Sequence, residues 1–156
     1  MHNFTGMSHD LRNQAKWLAL NGYLAIAPDL YDRGSRLGCL RTIMRDIGAK
    51  QGRTFHDIDA ARRWLVVHDE CTGIIGVVGF CMGASYAVLL APDHGYAAAS
   101  VSYGSLPKDT LGYLANACPM VVSFGARVRS PARRRATKRR LRAPFSVVTS
   151  VGAFGF

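Results

Sequence analysis

The sequence predicts an α/β fold, a mostly parallel sheet with helices on both faces. Three observations carry this. Short runs at residues 23–27, 74–78, 97–103 and 119–124 are apolar along their length rather than alternately, as strands buried on both faces must be. Segments with helical apolar spacing separate them. Asp29, Cys81, Tyr103 and Gly125 fall where the strands end, and open α/β sheets place their sites at the carboxyl ends of strands.

Each element has a local reason. Residues 8–20 read as a helix, with Ser8 as N-cap, Leu11, Ala15, Leu18 and Ala19 on one face, and Asn21-Gly22 as the stop. Residues 23–27 read as a short buried strand ended by Pro28-Asp29. Leu37, Leu40, Ile43, Met44 and Ile47 mark a second amphipathic helix. Thr54-Phe55-His56-Asp57 resembles a capping box opening a third helix to about Val67, with Ile58, Ala61 and Leu65 on one face. Strand 74–78 then leads through Gly79-Phe80-Cys81-Met82-Gly83 into an apolar helix at 84–90, and strands at 97–103 and 119–124 follow. Trp17 and Trp64 are expected in core or boundary packing, and Tyr103 is expected to pack rather than to serve a site.

The glycine-flanked turn between strand and helix is a nucleophile elbow with cysteine at its apex. Glycine at 79 and 83 is expected to relax the torsions and permit close strand–helix approach. The free N–H groups at the start of the helix favour a thiolate at Cys81, and the Met82 N–H is positioned to hold an oxyanion. The same sequence would also suit a buried structural cysteine. The flanking strand and helix favour the nucleophile.

Composition bounds the rest. A chain of 156 residues, 49% hydrophobic, makes at most one domain with a real core. No run reaches the roughly 18 apolar residues of a membrane span, and no signal peptide is visible after Met1. Cys39, Cys71, Cys81 and Cys118 form no CxxC pair and no metal spacing, so a reduced, cytoplasmic setting without metal or cofactor is expected. The net charge of +10 is local: eight Arg and one Lys crowd residues 127–142, and no acid follows Asp109. Without those nine, eleven basic residues face ten acidic ones, a net of +1 over residues 1–126. The chain is therefore divided into a partial α/β domain, 1–126, and a basic segment, 127–156. That segment could bind nucleic acid, but 127–142 has no aromatic residue for stacking, so a solvated tail is the expectation.

The order of motifs resembles the dienelactone hydrolase family of α/β-hydrolases. The resemblance rests on residues 22–31 (GYLAIAPDLY), the helix at 57–61, the elbow GFCMG, Ser102-Tyr103-Gly104 and Cys118-Pro119, and runs from about His2 to about Arg129. It implies that Cys81 attacks an ester or lactone carbonyl to give an acyl-enzyme that water releases. It implies oxyanion donors at the Met82 and Phe4 N–H groups, and an Arg33 that clamps a substrate carboxylate, for which the alternative is an ordinary solvated loop arginine. The expected partner is thus a small ester or lactone carrying a carboxylate, taken by a monomer, without membrane or nucleic acid.

Departures from the family pattern are equally specific. Asn3 stands where the family has Glu, and Val128 where it has the triad Asp. No histidine stands in the final Gly-His-x-Phe motif, represented by Gly152-Ala153-Phe154. The chain is expected to begin inside the family pattern, and its arginine-rich change near Val128 reads as divergence or a shifted frame. Two functions follow: a cysteine-dependent ester hydrolase, impaired by those losses, or a non-catalytic small-ligand-binding protein on the same scaffold.

Overall fold

The computed structural model describes residues 1–107, 110–125 and 145–150. Four strands, β1 (Gly76–Phe80), β2 (Ala98–Ser102), β3 (Met120–Gly125) and β4 (Phe145–Ser150), form one sheet in the order β1-β2-β3-β4. Every pairing is parallel, as the apolar runs predict. β4 was not anticipated; it joins part of the C-terminal segment to the sheet. The arginine-rich residues 127–142 lie outside the described residues.

Five helices accompany the sheet: α1 (His9–Leu20), α2 (Arg36–Ala49), α3 (Arg53–Val66), α4 (Met82–Leu90) and α5 (Thr110–Tyr113). All nine residues of α4 are buried, which explains why it is apolar all round. One side of α4 packs on the sheet through Ala84, Ala87 and Val88 against Val77, Ala99, Val101, Met120 and Val122. Its other side packs on α2 and α3, with Tyr86 and Leu89 meeting Ile43, Phe55 and Ile58. The helix that begins at the elbow thus joins both clusters of the core, and Cys81 stands at its N-terminus.

Three local expectations are corrected. Residues 23–27 form no strand among the described residues, and Tyr23 is 64% exposed. An apolar run selects extended backbone, yet a strand also needs a neighbour to take its N–H and C=O groups. Helix α3 starts at Gly52–Arg53 and has no side-chain cap of its own. Thr54 lies inside it, and the carboxylate of Asp46, from α2, accepts the Thr54 N–H at 3.1 Å in the role of a cap. Trp17 and Trp64 are 59% and 52% exposed rather than packed in the core, and the Trp64 ring meets that of His68 at a tilt of 50° with centroids 5.1 Å apart.

Asp46 is part of a buried polar chain. Its Oδ2 also accepts the Thr54 hydroxyl at 2.9 Å, Thr54 Oγ1 lies 2.6 Å from the Tyr86 hydroxyl, and Arg45 donates twice to Oδ1 at 3.0 and 3.1 Å. The Thr54 proton goes to the carboxylate, so Tyr86 donates to Thr54. Burial alone would raise the Asp46 carboxyl, but the bonds from Thr54 and Arg45 outweigh it and hold it below its usual value. Burial pushes the Tyr86 phenol up to about 12.

Candidate active site

β1 ends at Phe80, and the chain turns at once into α4. The turn residue is Cys81, with φ 53° and ψ −110°. Only a few per cent of non-glycine residues take positive φ, and the energy stored there is of order 1–3 kcal/mol. The expected role of the flanking glycines is therefore refined: Gly79 and Gly83 are not among the positive-φ residues, and the strained torsions fall on the cysteine itself. What the glycines supply is space. A methyl group on Gly79 would strike the Gly83 carbonyl and lie 2.7 Å from Ala84 Cα. One on Gly83 would lie 2.5 Å from the Met1 carbonyl oxygen and 2.6 Å from that of His2.

Cys81 is exposed and caps α4. Its own N–H donates to Ser102 O at 2.9 Å, continuing the β1–β2 ladder, while its carbonyl accepts from Ala84 and Ser85. The Met82 and Gly83 N–H groups have no acceptor among the described residues, as expected for the first turn of a helix. Partial positive charge therefore gathers at the corner occupied by the thiol.

The N-terminal residues run beside β1. The Met1 amino group donates to Val78 O, and Phe80 N–H donates to Met1 O. His2 is fully buried; its Nδ1 donates to Asn3 O at 2.7 Å and its Nε2 accepts the Leu30 N–H at 2.9 Å. Those two bonds fix one neutral tautomer. Burial lowers its pKa, more than the Asn3 bond and Asp29, 3.8 Å away, raise it. His2 is thus a tie between two loops, with both ring nitrogens already engaged.

From there the chain turns over residues 3–6. The Asn3 side-chain oxygen accepts the Thr5 N–H at 2.9 Å and the Thr5 hydroxyl, so the amide standing in place of Glu is used locally. Phe4 is 59% exposed, and its N–H has no acceptor among the described residues. Its carbonyl accepts the Tyr31 hydroxyl at 3.1 Å, and Tyr31 stacks on the His2 ring at 5.1 Å. The structure thus brings Cys81, the two candidate oxyanion donors and Asn3 to one end of the sheet.

Arg33 is already paired with carboxylates. Its guanidinium, 58% exposed, faces Asp57 of α3 at 3.4 Å and Asp32 at 3.8 Å. Two residues outside the candidate set, Tyr31 and Arg36, bond to the turn at residues 3–6, and Tyr103 adjoins the elbow. Tyr31 was visible only as part of a motif. Arg36 extends over the Tyr31 ring, 5.6 Å from its centroid, and donates to Thr5 O at 2.7 Å. Tyr103, expected to pack, is 53% exposed, with φ 49°. The register Phe80↔Ser102 makes it the next neighbour of Cys81, a placement that strand pairing alone reveals. Burial raises both phenols, and a charge on Cys81 raises both further.

Among the described residues no histidine or carboxylate hydrogen-bonds the Cys81 sulfur, and no group of three His, Cys, Asp or Glu side chains is arranged to hold a metal ion. Val128 and residues 152–154 lie outside the described residues. No helix of the described residues is long and apolar enough to cross a membrane.

Comparison with known proteins gives a consistent result. The model of the dienelactone hydrolase family matches residues 1–140, past the boundary expected at 126. A carboxymethylenebutenolidase of Pseudomonas putida is 32% identical over 107 residues, 63% of this chain and 45% of that protein. A candidate carboxymethylenebutenolidase of Salmonella typhi is 31% identical over 111 residues, 67% of this chain and 41% of that protein. The chain spans less than half the length of these curated relatives. The crystal structure of a candidate dienelactone hydrolase from Klebsiella pneumoniae superposes with a TM-score of 0.69 at 22% identity, covering 94% of this chain and 70% of that one, a likeness of fold. With the parallel sheet, the elbow and a family match over most of its length, the chain belongs to the dienelactone hydrolase family.

Proposed function

We propose that this chain cleaves small carboxylic esters or lactones through a covalent thioester on Cys81. One observation carries the reading: an exposed cysteine in strained, left-handed backbone at the N-terminus of a fully buried helix, where the Met82 and Gly83 N–H groups have no acceptor among the described residues. The Cys81 thiolate attacks the carbonyl carbon, and the electron pair of the C=O moves to oxygen. The Met82 and Phe4 N–H groups hold that oxyanion. Collapse expels the alkoxide, which takes a proton from water, and leaves the acyl group on sulfur.

Release is the slow half. Water must lose a proton as it attacks the thioester, and the Asn3 amide cannot take it. Acylation therefore outpaces deacylation, and the chain accumulates acyl-enzyme. The test is mass spectrometry after brief exposure to an activated aryl ester. The reading predicts one acyl group, mapped to Cys81, formed well before any on Cys71 or Cys118. Equal acylation of the three thiols would refute it.

The commitment of Asn3 to Thr5 favours a second reading, a protein that binds a small carboxylate without turnover. It predicts saturable binding by calorimetry and no acyl adduct.

A further inference from the structure

We infer that His2 is a positioning residue that one proton disengages: with Nε2 protonated, the ring trades Leu30 for Asp29, and the turn carrying Phe4 loses its anchor. This rests on the reading of Cys81 as the reacting thiol and of the Phe4 N–H as an oxyanion donor. His2 joins the parts of that site. Its carbonyl abuts Gly83 at the elbow, its Nδ1 donates to Asn3 O at 2.7 Å, and its Nε2 accepts the Leu30 N–H at 2.9 Å. Its ring lies 5.1 Å from that of Tyr31, whose hydroxyl donates to Phe4 O at 3.1 Å. The side chain is fully buried, so solvent replaces a lost partner only if the surrounding chain moves.

The two protonation states demand different partners. Neutral His2 needs a donor at Nε2, and the Leu30 N–H supplies it. A proton on Nε2 makes that atom a donor too, and two N–H groups then face each other. The nearest acceptor is Asp29 Oδ1, 3.8 Å from Nε2, which already accepts the Tyr31 N–H at 2.9 Å. A charge-assisted bond to Asp29 therefore pulls on the segment 29–31 while its buried Leu30 N–H loses its acceptor. That segment also carries the Tyr31 ring and hydroxyl, which hold the Phe4 turn.

Three titratable groups face the ring: Asp29 and Tyr31 from the loop after Pro28, and the Met1 amino group. Gly83, from α4, brings none. Burial holds the His2 pKa below the ordinary 6.5; the Asn3 bond and Asp29 raise it, and the Met1 amino group, itself lowered by burial to about 6, lowers it. The neutral, anchoring form is thus the one present at pH 7, and acid releases it.

Two reactions at Cys81 read the turn while cancelling the thiolate fraction. Acylation by an activated aryl ester needs the oxyanion donors; alkylation by iodoacetamide, in which the thiolate displaces iodide, does not. Their rate ratio at Cys81 is measured at each pH by peptide mass spectrometry. NMR follows the His2 ring and the Phe4 and Leu30 amides, and circular dichroism marks the folded range. At the pH where the ring is nine-tenths protonated, the ratio should have fallen about tenfold, as it must when the protonated form lacks a donor worth roughly 10²–10³ in rate. The Phe4 and Leu30 amide shifts should share the ring's midpoint. His2→Gln keeps an uncharged acceptor for Leu30 and should abolish the fall; one driven by the Met1 amino group would survive it. If the Gln variant fails to fold, Asp29→Asn, which still accepts the Tyr31 N–H, should move the midpoint to lower pH. A ratio that stays constant as the ring titrates, a fall that persists in His2→Gln, or a ring neutral throughout the folded range would overturn the assignment. Amide shifts that follow the ring, with no acyl adduct on Cys81 at any pH, would leave the His2 device standing while refuting the hydrolase reading.

Discussion

Gly83 lies so close to His2 that a methyl group on its Cα would sit 2.6 Å from the His2 carbonyl oxygen. The elbow and the turn bearing Phe4 are therefore held at a spacing that only a glycine allows. Gly83→Ala must push them apart. We expect a loss of about 1–3 kcal/mol of stability by urea unfolding, the usual range for overpacking. Cys81 acylation should fall further than the population of folded protein accounts for, because the Phe4 N–H moves away.

Strain at Cys81 predicts the opposite sign for another change. Replacing Cys81 by Gly relieves a positive φ of 53° and removes an exposed side chain. Relief of such strain is worth about 1–3 kcal/mol, less the roughly 0.5–1 kcal/mol that glycine loses in ordering. Cys81→Gly should thus be about 1 kcal/mol more stable than Cys81→Ala by chemical denaturation. A less stable glycine variant would mean that the backbone is not under load.

The buried chain Asp46–Thr54–Tyr86 ties α2, α3 and α4 together. Thr54→Val leaves Tyr86 with only a 3.5 Å contact to Ile43 O and deprives Asp46 of one donor. The expected loss is about 1–3 kcal/mol by urea unfolding, with Cys81 reactivity toward iodoacetamide unchanged. Since the folded Asp46 carboxyl lies below its ordinary 3.8, its contribution is present above that value and fades as pH falls through the folded one.

His2 gives a pH signature of its own. Its folded pKa lies below the ordinary 6.5, so the unfolded chain binds the proton first. Stability contributed by neutral His2 is complete above 6.5 and declines as pH falls from there toward the folded value. The urea midpoint should therefore drop between about pH 7.5 and about pH 5.5, and His2→Gln should flatten that drop. An equal pH dependence in both proteins would assign it to other groups.

How much of this was legible in the sequence depends on the range of each interaction. The elbow was readable because its whole logic spans five consecutive residues, and α1 because Ser8 caps it locally. The start of α3 was misread because its cap, Asp46, lies eight residues upstream on another helix. Residues 23–27 carry a strand's pattern, but pairing is a property of two segments and no pattern in one reveals it. Tyr103 looked like packing until the β1–β2 register set it beside Cys81.

The central claim is that Cys81 accepts an acyl group faster than the chain releases it. Stopped-flow reaction with a chromogenic aryl ester reads this directly. The account predicts a burst of about one equivalent of phenol per chain, followed by slow turnover, with the burst abolished in Cys81→Ala. A progress curve without a burst, or one that persists in Cys81→Ala, would contradict it.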